Sequence, residues 1–278
     1  MIMSLKFRPD RLVRPDRLGP RTQNPGPMQT FPDHFSSVAG LYASARPTYP
    51  EALFSYLASL APRREQAWDC GTGSGQAARG LAPHFREVIA TDASQAQLAE
   101  AIKDPRISYR VAPAERSGIE SESVDLLTVA QALHWFDLPA FYAEARRVVR
   151  PGGVVAIWGY VAATLDDPGL TALLHHFHYD IAGPYWPHER AIIESGYRTV
   201  PFPFREVAPP DFEMFADWTL ADLIGYVRTW SAVRQLIAAG RGEEVPALER
   251  ALNASWGNPA HRRRVSWPIK LRVGKTGD

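Results

Sequence analysis

A doubly wound α/β fold with a mostly parallel sheet is what this chain predicts, on three observations. Apolar runs of β type alternate with helical segments from Ala67 onward, and that alternation requires parallel strands joined by right-handed crossovers. The first run passes directly into Asp69-Cys70-Gly71-Thr72-Gly73-Ser74-Gly75, whose alternate glycines allow a tight strand-to-helix turn. The second run closes on Asp92, about 20 residues further on, where sheets of this kind place an acidic side chain.

Each element has a local reason. Residues 68–70 end strand one, and the helix after the glycines spans about 74–82, where Pro83 stops it. Residues 88–92 form strand two. Ser94 with Gln97 is a capping-box pair that opens a helix to about Lys103, and residues 107–112 alternate as strand three. The apolar run 124–130 is a buried-type strand four. Asp137 caps a helix that holds Pro139 near its first turn and reaches Val149. Arg150-Pro151-Gly152-Gly153 then turns the chain into strand five, 154–158. Beyond it, Leu165-Asp166-Asp167-Pro168 starts another helix. Thr219-Leu220-Ala221-Asp222 is the capping box of an inserted helical segment with Leu223, Tyr226, Val227 and Trp230 at helical spacing.

The glycine spacing discriminates between ligands. A dinucleotide fingerprint is G-x-G-x-x-G, with pyrophosphate on the following helix N-terminus; here the pattern is G-x-G-x-G. Asp69 sits just before it, where a carboxylate repels pyrophosphate but accepts hydrogen bonds from an ammonium. Asp92 is placed to take ribose hydroxyls. S-adenosylmethionine carries a ribose and an ammonium and no phosphate. The plain alternative is a loop that only links a buried strand to a helix.

Composition narrows the classes further. With 278 residues and 45% hydrophobic content, the chain suits one large domain. No apolar run reaches about 18 residues, so no membrane span is expected. Lys+Arg 31 against Asp+Glu 30 creates no general attraction for nucleic acid or anionic lipid, which favours a small-molecule partner. The single Cys70 excludes an internal disulfide framework, and with no secretory apolar region the cytoplasm is the expected location. Residues 1–30, where Arg8-Pro9-Asp10-Arg11-Leu12 recurs as Arg14-Pro15-Asp16-Arg17-Leu18, read as a disordered, basic, Pro-rich tail, with Met28 as a candidate natural start. The domain proper is then 31–278: a lead segment 31–66, a cofactor-binding core 67–160, and 161–278 carrying the remaining strands and a helical lid. Within His175-His176-Phe177-His178 only the first and last share a helical face. Two imidazoles alone make a poor site, so no metal is expected.

Taken together, these motifs resemble the class I S-adenosylmethionine-dependent methyltransferases, and within them the small-molecule group typified by trans-aconitate methyltransferase. The likeness spans about 31–160. It rests on Asp69 through Gly75, on Asp92, on Ala114-Glu115, on Ala130-Gln131-Ala132-Leu133-His134-Trp135 and on Arg150-Pro151-Gly152-Gly153. The resemblance implies a seven-stranded sheet whose last two strands are antiparallel, near 204–207 and 264–273. It implies S-adenosyl-L-methionine as cofactor, with Gly71, Thr72, Gly73 and Gly75 against its methionine part, Asp92 on the ribose, Ala114 and Glu115 beside the adenine, and Ala130 and Gln131 near the amino group. One position departs from the pattern. Pro113 stands where many relatives have an acidic residue for the adenine amine, and proline offers neither carboxylate nor N–H. Adenine contact then falls to Ala114, Glu115 and apolar cover from Ala93 or Leu133.

Phe31-Pro32-Asp33-His34-Phe35 and Tyr42 through Pro50 match the lead segment that folds over the pocket in that group. Arg46, with its bidentate fork, is the candidate partner of a carboxylate, on the cofactor or on the acceptor. Tyr42, Tyr49, Trp135, Tyr160, Trp218 and Trp230 are the candidates for lining the acceptor site. Methyl transfer needs positioning and water exclusion more than acid–base help. A base matters only for an acceptor that must lose a proton, and His134, after strand four, is the candidate; a packed, hydrogen-bonded imidazole is its plain alternative. Oxygen in a carboxylate or hydroxyl is the favoured acceptor. Other readings stay open: a methyltransferase of a modified transfer-RNA nucleoside, a non-catalytic cofactor-binding module, or a nicotinamide dehydrogenase on the same topology.

Overall fold

The computed structural model describes residues 47–277; the tail, Met28, Tyr42, Arg46 and the rest of segment 31–46 lie outside the described residues. After Pro50, helix α1 (Glu51–Leu60) buries Leu53, Phe54, Leu57 and Ala58 at helical spacing. Alternating strands and helices follow: β1 (Gln66–Cys70), α2 (Gln76–Leu81), β2 (Glu87–Asp92), α3 (Gln95–Ala99), β3 (Ile107–Val111), β4 (Val124–Ala130), α4 (Leu138–Val148) and β5 (Val149–Tyr160). The remainder comprises β6 (Thr164–Leu165), α5 (Pro168–His175), α6 (Arg190–Glu194), β7 (Arg205–Val207), β8 (Phe212–Trp218), α7 (Leu220–Arg228), α8 (Ser231–Ala238), α9 (Glu244–Trp256) and β9 (Arg263–Lys275).

All nine strands among the described residues share one sheet. β3, β2, β1, β4 and β5 run parallel in that order, with Trp68 beside both Ile89 and Leu127. β9 enters antiparallel to β5. Ile269 faces Tyr160 on one side and Phe212 on the other, and Ser266 faces Thr164 and Phe215. Thus β6 continues the line of β5, while β7 and β8 share the far side of β9, and the nine strands occupy seven positions.

Successive residues of the central strands alternate between two cores, as a sheet covered on both faces demands. Ala67, Val88, Leu126, Ala156 and Trp158 join α1, α2, α5, α7, α8 and α9 on one face. Trp68, Ile89, Leu127, Val155 and Ile157 join α4 and α6 on the other. Among the described residues no helix is long and apolar enough to cross a membrane.

Two local expectations need correction, and one strand lies outside the sequence reading. The helix after Ser94 ends at Ala99 rather than Lys103. Asp104, preceding Pro105, is disfavoured for helix and instead accepts from Arg106 N at 2.9 Å. Residues 150–153 are no simple turn: Val124 pairs Val149 and Leu126 pairs Val154, so this segment bulges out of a longer β5. β8 was not foreseen, although Phe212, Met214, Ala216 and Trp218 alternate with period two. The expected C-terminal antiparallel pair is present as β7 and β9. The full Thr219 capping box also forms at the start of α7.

Candidate functional site

The carboxyl ends of β1 and β2 are stitched together by the glycine turn. Gly71, Gly73 and Gly75 adopt φ of 68°, 57° and 83°, a region that penalises any side chain with a Cβ. Gly71 N and Thr72 N both donate to Thr91 O, at 2.8 and 2.9 Å. Gly73 N donates to Asp92 Oδ2 and Ser94 N to Asp92 Oδ1, each at 2.8 Å. A Cβ on Gly71 would lie 2.6 Å from Ala132 Cβ, and one on Gly75 would lie 2.3 Å from Tyr109 Oη. The turn is therefore closely packed on its protein side.

Two carboxylates face this turn. Asp69 is fully buried and accepts from Thr72 Oγ1 at 2.5 Å and Thr128 Oγ1 at 2.8 Å. Burial pushes it up to about 6 in spite of those donors, with a smaller contribution from the charge of Asp92. Burial also raises Asp92, against the two backbone donors that lower it. With one protein donor on each oxygen, Asp92 keeps lone pairs for further donors.

The neighbouring strand ends complete the rim. Ala114, just beyond β3, is buried, Ala93 is exposed, and Glu115 Oε1 accepts from Asp137 N at 2.9 Å. Ala130 ends β4. Gln131 then takes φ of 57°, with its N–H donating to Trp158 O at 2.8 Å and its amide to Tyr160 O at 3.4 Å. Such a left-handed glutamine is uncommon and fixes the chain direction as it leaves the sheet.

His134 lies on a short 3₁₀ turn, Leu133–Trp135, with its ring 4.8 Å from that of Trp135. Its Nδ1 is buried and has no hydrogen-bond partner among the described residues. Burial, then the charge of Arg190, hold the imidazole down at about 4. A cavity of about 110 Å³ is lined by Leu133, His134, Phe136, Leu138, Ile192 and Val200.

The other aromatic candidates do not gather there. Tyr49, Tyr160, Trp218 and Trp230 belong to the opposite core face. Tyr49 meets Trp158 edge-on at 5.5 Å. Trp218 packs on Trp267 at 4.9 Å and Tyr226 at 5.3 Å, and Trp230 on Tyr226 and Trp186. The histidine run disperses as well: His175 Nε2 meets Ala163 O at 2.9 Å, His176 Nδ1 meets Asp180 at 2.7 Å, and His178 faces Glu194 at 3.7 Å. Leu133 is fully buried on the α4 face. Arg190 went unnoticed in the sequence because its relation to His134 comes entirely from α6 folding back over β5. Its only local signal is the Arg190–Glu194 pair at i, i+4.

Parallel strands, a glycine turn and a strand-end aspartate define a nucleoside-binding protein of Rossmann type. Residues 68–157 match the family model described as a methyltransferase domain. A Dictyostelium discoideum protein named as a methyltransferase is 36% identical over 225 residues, which is 80% of this chain and 86% of that one. A solved structure from Anaeromyxobacter dehalogenans, named as a type II methyltransferase, is 45% identical with a TM-score of 0.79, covering 83% of this chain and 97% of that one. A Saccharomyces cerevisiae protein named as an S-adenosylmethionine-dependent methyltransferase is 34% identical over 135 residues, 45% of this chain and 46% of that one. The chain belongs to the class I S-adenosylmethionine-dependent methyltransferases, and S-adenosylmethionine is its cofactor.

Proposed function

We propose that this enzyme methylates an oxygen, in a carboxylate or hydroxyl, of a small-molecule acceptor. The observation that carries the cofactor half is the pair of carboxylates at the glycine turn, Asp69 and Asp92. That pair of acceptors suits a ribose diol and an ammonium and opposes a pyrophosphate. Asp92 is assigned to the ribose, Asp69 and the Gly71–Gly75 backbone to the amino-acid end, Ala114 to the adenine, and Ala130 with Gln131 to the amino group. Glu115 is assigned to the adenine rim, beside its hydrogen bond to Asp137.

When bound, the cofactor supplies an electrophilic sulfonium methyl: the acceptor oxygen forms the new C–O bond as the C–S bond breaks and its electron pair leaves with sulfur. The chain's own part is to orient the reactants and keep water out, which contributes up to roughly 7–11 kcal/mol in well-aligned systems. His134 stands at the acceptor side of the β4 turn. Held near 4, it is a weak base and is assigned a hydrogen-bonding role toward the acceptor. That weakness favours an oxygen already ionised at neutral pH. The near balance of charge supports a small acceptor over a polyanion.

The test has two stages. Calorimetry with S-adenosylhomocysteine and with NAD comes first, and tight binding of the former alone is expected. A radiolabelled methyl-transfer screen over carboxylic, phenolic and aliphatic hydroxyl compounds follows, with label expected in base-labile esters or in ethers. Label found only in RNA would overturn the acceptor half.

A further inference from the structure

Among the described residues three non-glycine residues adopt positive φ, and two of them meet at the ends of β4 and β5. Gln131, leaving β4, has φ of 57°, and Tyr197, beyond α6, has φ of 61°. Side chains with a Cβ avoid this region, so each residue is held there by its surroundings. One atom holds both. Trp158 O on β5 accepts from Gln131 N at 2.8 Å and from Tyr197 Oη at 3.2 Å. The next residue, Gly159, leaves them room: a Cβ on it would lie 2.8 Å from Tyr197 Oη and 3.1 Å from Gln131 Oε1.

Each polar group of Tyr197 is engaged. Its N–H donates to Ile192 O and Gly196 N to Ile193 O, both at 2.8 Å, which ends α6 in a Schellman turn with Gly196 at φ of 64°. Its carbonyl accepts from Arg272 Nη1 of β9 at 2.6 Å, and its ring is fully buried. Burial pushes the phenol well above its ordinary range, so the hydroxyl keeps its proton and stays a donor. Gln131, for its part, adjoins the glycine turn. Thr128 of β4 pairs with Asp69 and donates to it at 2.8 Å, and Ala132 Cβ lies 2.6 Å from a Cβ placed on Gly71. Gln131 Nε2 donates to Tyr160 O at 3.4 Å. With N–H and side-chain amide both turned to β5, Gln131 makes a left-handed corner that sets how Ala130 and Ala132 meet the turn. Two strained residues sharing one acceptor is a costly way to close a strand end, and such strain persists where a geometry has to be fixed.

We propose that Tyr197 is a positioning residue for the cofactor: its hydroxyl orients the Trp158 carbonyl that receives the Gln131 N–H, and so keeps Ala130 and Gln131 set against the amino-acid end of S-adenosylmethionine. This rests on the assignment of those two residues to the cofactor amino group. It adds that a side chain acting only through Gln131 fixes the grip on one end of the ligand.

The experiment titrates the full chain calorimetrically with S-adenosylhomocysteine and with methylthioadenosine, which keeps the adenosine and sulfur but lacks the amino-acid end. Wild type is expected to bind S-adenosylhomocysteine the more tightly of the two. Tyr197→Phe removes only the hydroxyl and is expected to weaken S-adenosylhomocysteine about fivefold, the effect of one neutral hydrogen bond. Methylthioadenosine affinity should stay within about twofold of wild type, which also reports that the variant folds. In the Gln131→Gly background, where the left-handed conformation carries no penalty, the same substitution should cost less than about twofold. A merely structural hydroxyl would lower Tm and leave the ratio of the two affinities unmoved. An unchanged ratio in Tyr197→Phe therefore overturns the proposal, as does an equal loss with and without Gln131→Gly. If wild type binds S-adenosylhomocysteine no more tightly than methylthioadenosine, the assignment of Ala130 and Gln131 to the amino group fails and takes the proposal with it; failure of Tyr197 alone leaves that wild-type preference intact.

Discussion

The two halves of the site are built from different materials. On the side proposed for the cofactor, consecutive residues do the work: backbone N–H groups from Gly71 to Gly73 lock onto Thr91 and Asp92, and the side chains involved are short, with Asp69 and Thr72 buried and Asp92 half-buried. On the side proposed for the acceptor, one 3₁₀ turn, one five-residue helix and a distant loop converge through side chains alone, with Ile192 and Val200 closing over Leu133 and His134. A backbone cradle tolerates little variation, because its hydrogen bonds and positive φ angles are set by the sheet. A side-chain cavity can be reshaped one residue at a time. The comparison teaches that this fold holds one ligand constant while leaving the other open to change.

Breaking the cofactor half should give the largest effect. Asp92→Asn removes charge from the group that accepts both Gly73 N and Ser94 N and is assigned to the ribose. Loss of charge-assisted hydrogen bonds worth about 1.5–3 kcal/mol each implies roughly 100-fold weaker S-adenosylhomocysteine binding by calorimetry. A loss below fivefold would remove Asp92 from the site. Next comes Gly71→Ala, which forces a Cβ to 2.6 Å from Ala132 at a φ of 68°. A destabilisation of about 2 kcal/mol is expected, readable as a drop of several degrees in Tm. Wild-type stability in that variant would mean that the turn is looser than its hydrogen bonds imply.

Smaller effects sharpen the contrast through pH. Asp69 sits at about 6 in the folded protein against an ordinary 3.8, so the fold takes up its proton more readily than the unfolded chain does. Its contribution to stability is full below pH 3.8 and is lost as pH rises through 6. Cofactor binding runs the other way: the ionised form accepts an ammonium, so S-adenosylhomocysteine affinity should fall by at most tenfold per unit as pH drops below 6. Flat affinity between pH 5 and 7.5 would separate Asp69 from the ligand. The smallest change is expected for His134→Ala, with less than a fivefold loss in kcat/KM. Since His134 is held near 4, it stays neutral from pH 6 to 9, and neither wild type nor variant should show a limb near 6.5. Its stability cost appears only in acid, growing as pH falls from 6.5 through 4. A wild-type limb at 6.5 that vanishes in the variant would restore His134 as a working base.

The same contrast explains what could be read in advance. Strands one to four and the helix capped by Asp137 were legible because each is specified by its own window: an apolar run, a cap three residues from its partner, a proline at a permitted place. The glycine turn and Asp92 were legible for the same reason, since their partners lie on adjacent strand ends. β8 was overlooked because its period-two pattern is diluted by half-exposed positions at the sheet margin. Residues 150–153 carry turn chemistry but are held in the ladder by pairings on both flanks. Arg190 and the split of the aromatics between two faces could not be read locally, because no short window encodes which side of the sheet a later helix will cover. His134 is legible as a residue that follows strand four, whereas the depth of its burial depends on α6.

The thirteen residues of β9 have a bearing on how the molecule comes into being. This strand is the last of the described sheet to be translated, yet it lies inside the sheet, supplying backbone partners to β5 and β6 on one side and β7 and β8 on the other. A nascent chain halted before residue 263 leaves β6, β7 and β8 without the strand they pair with. Completion thus waits for the final stretch to thread between earlier ones, a long-range closure of the slow kind.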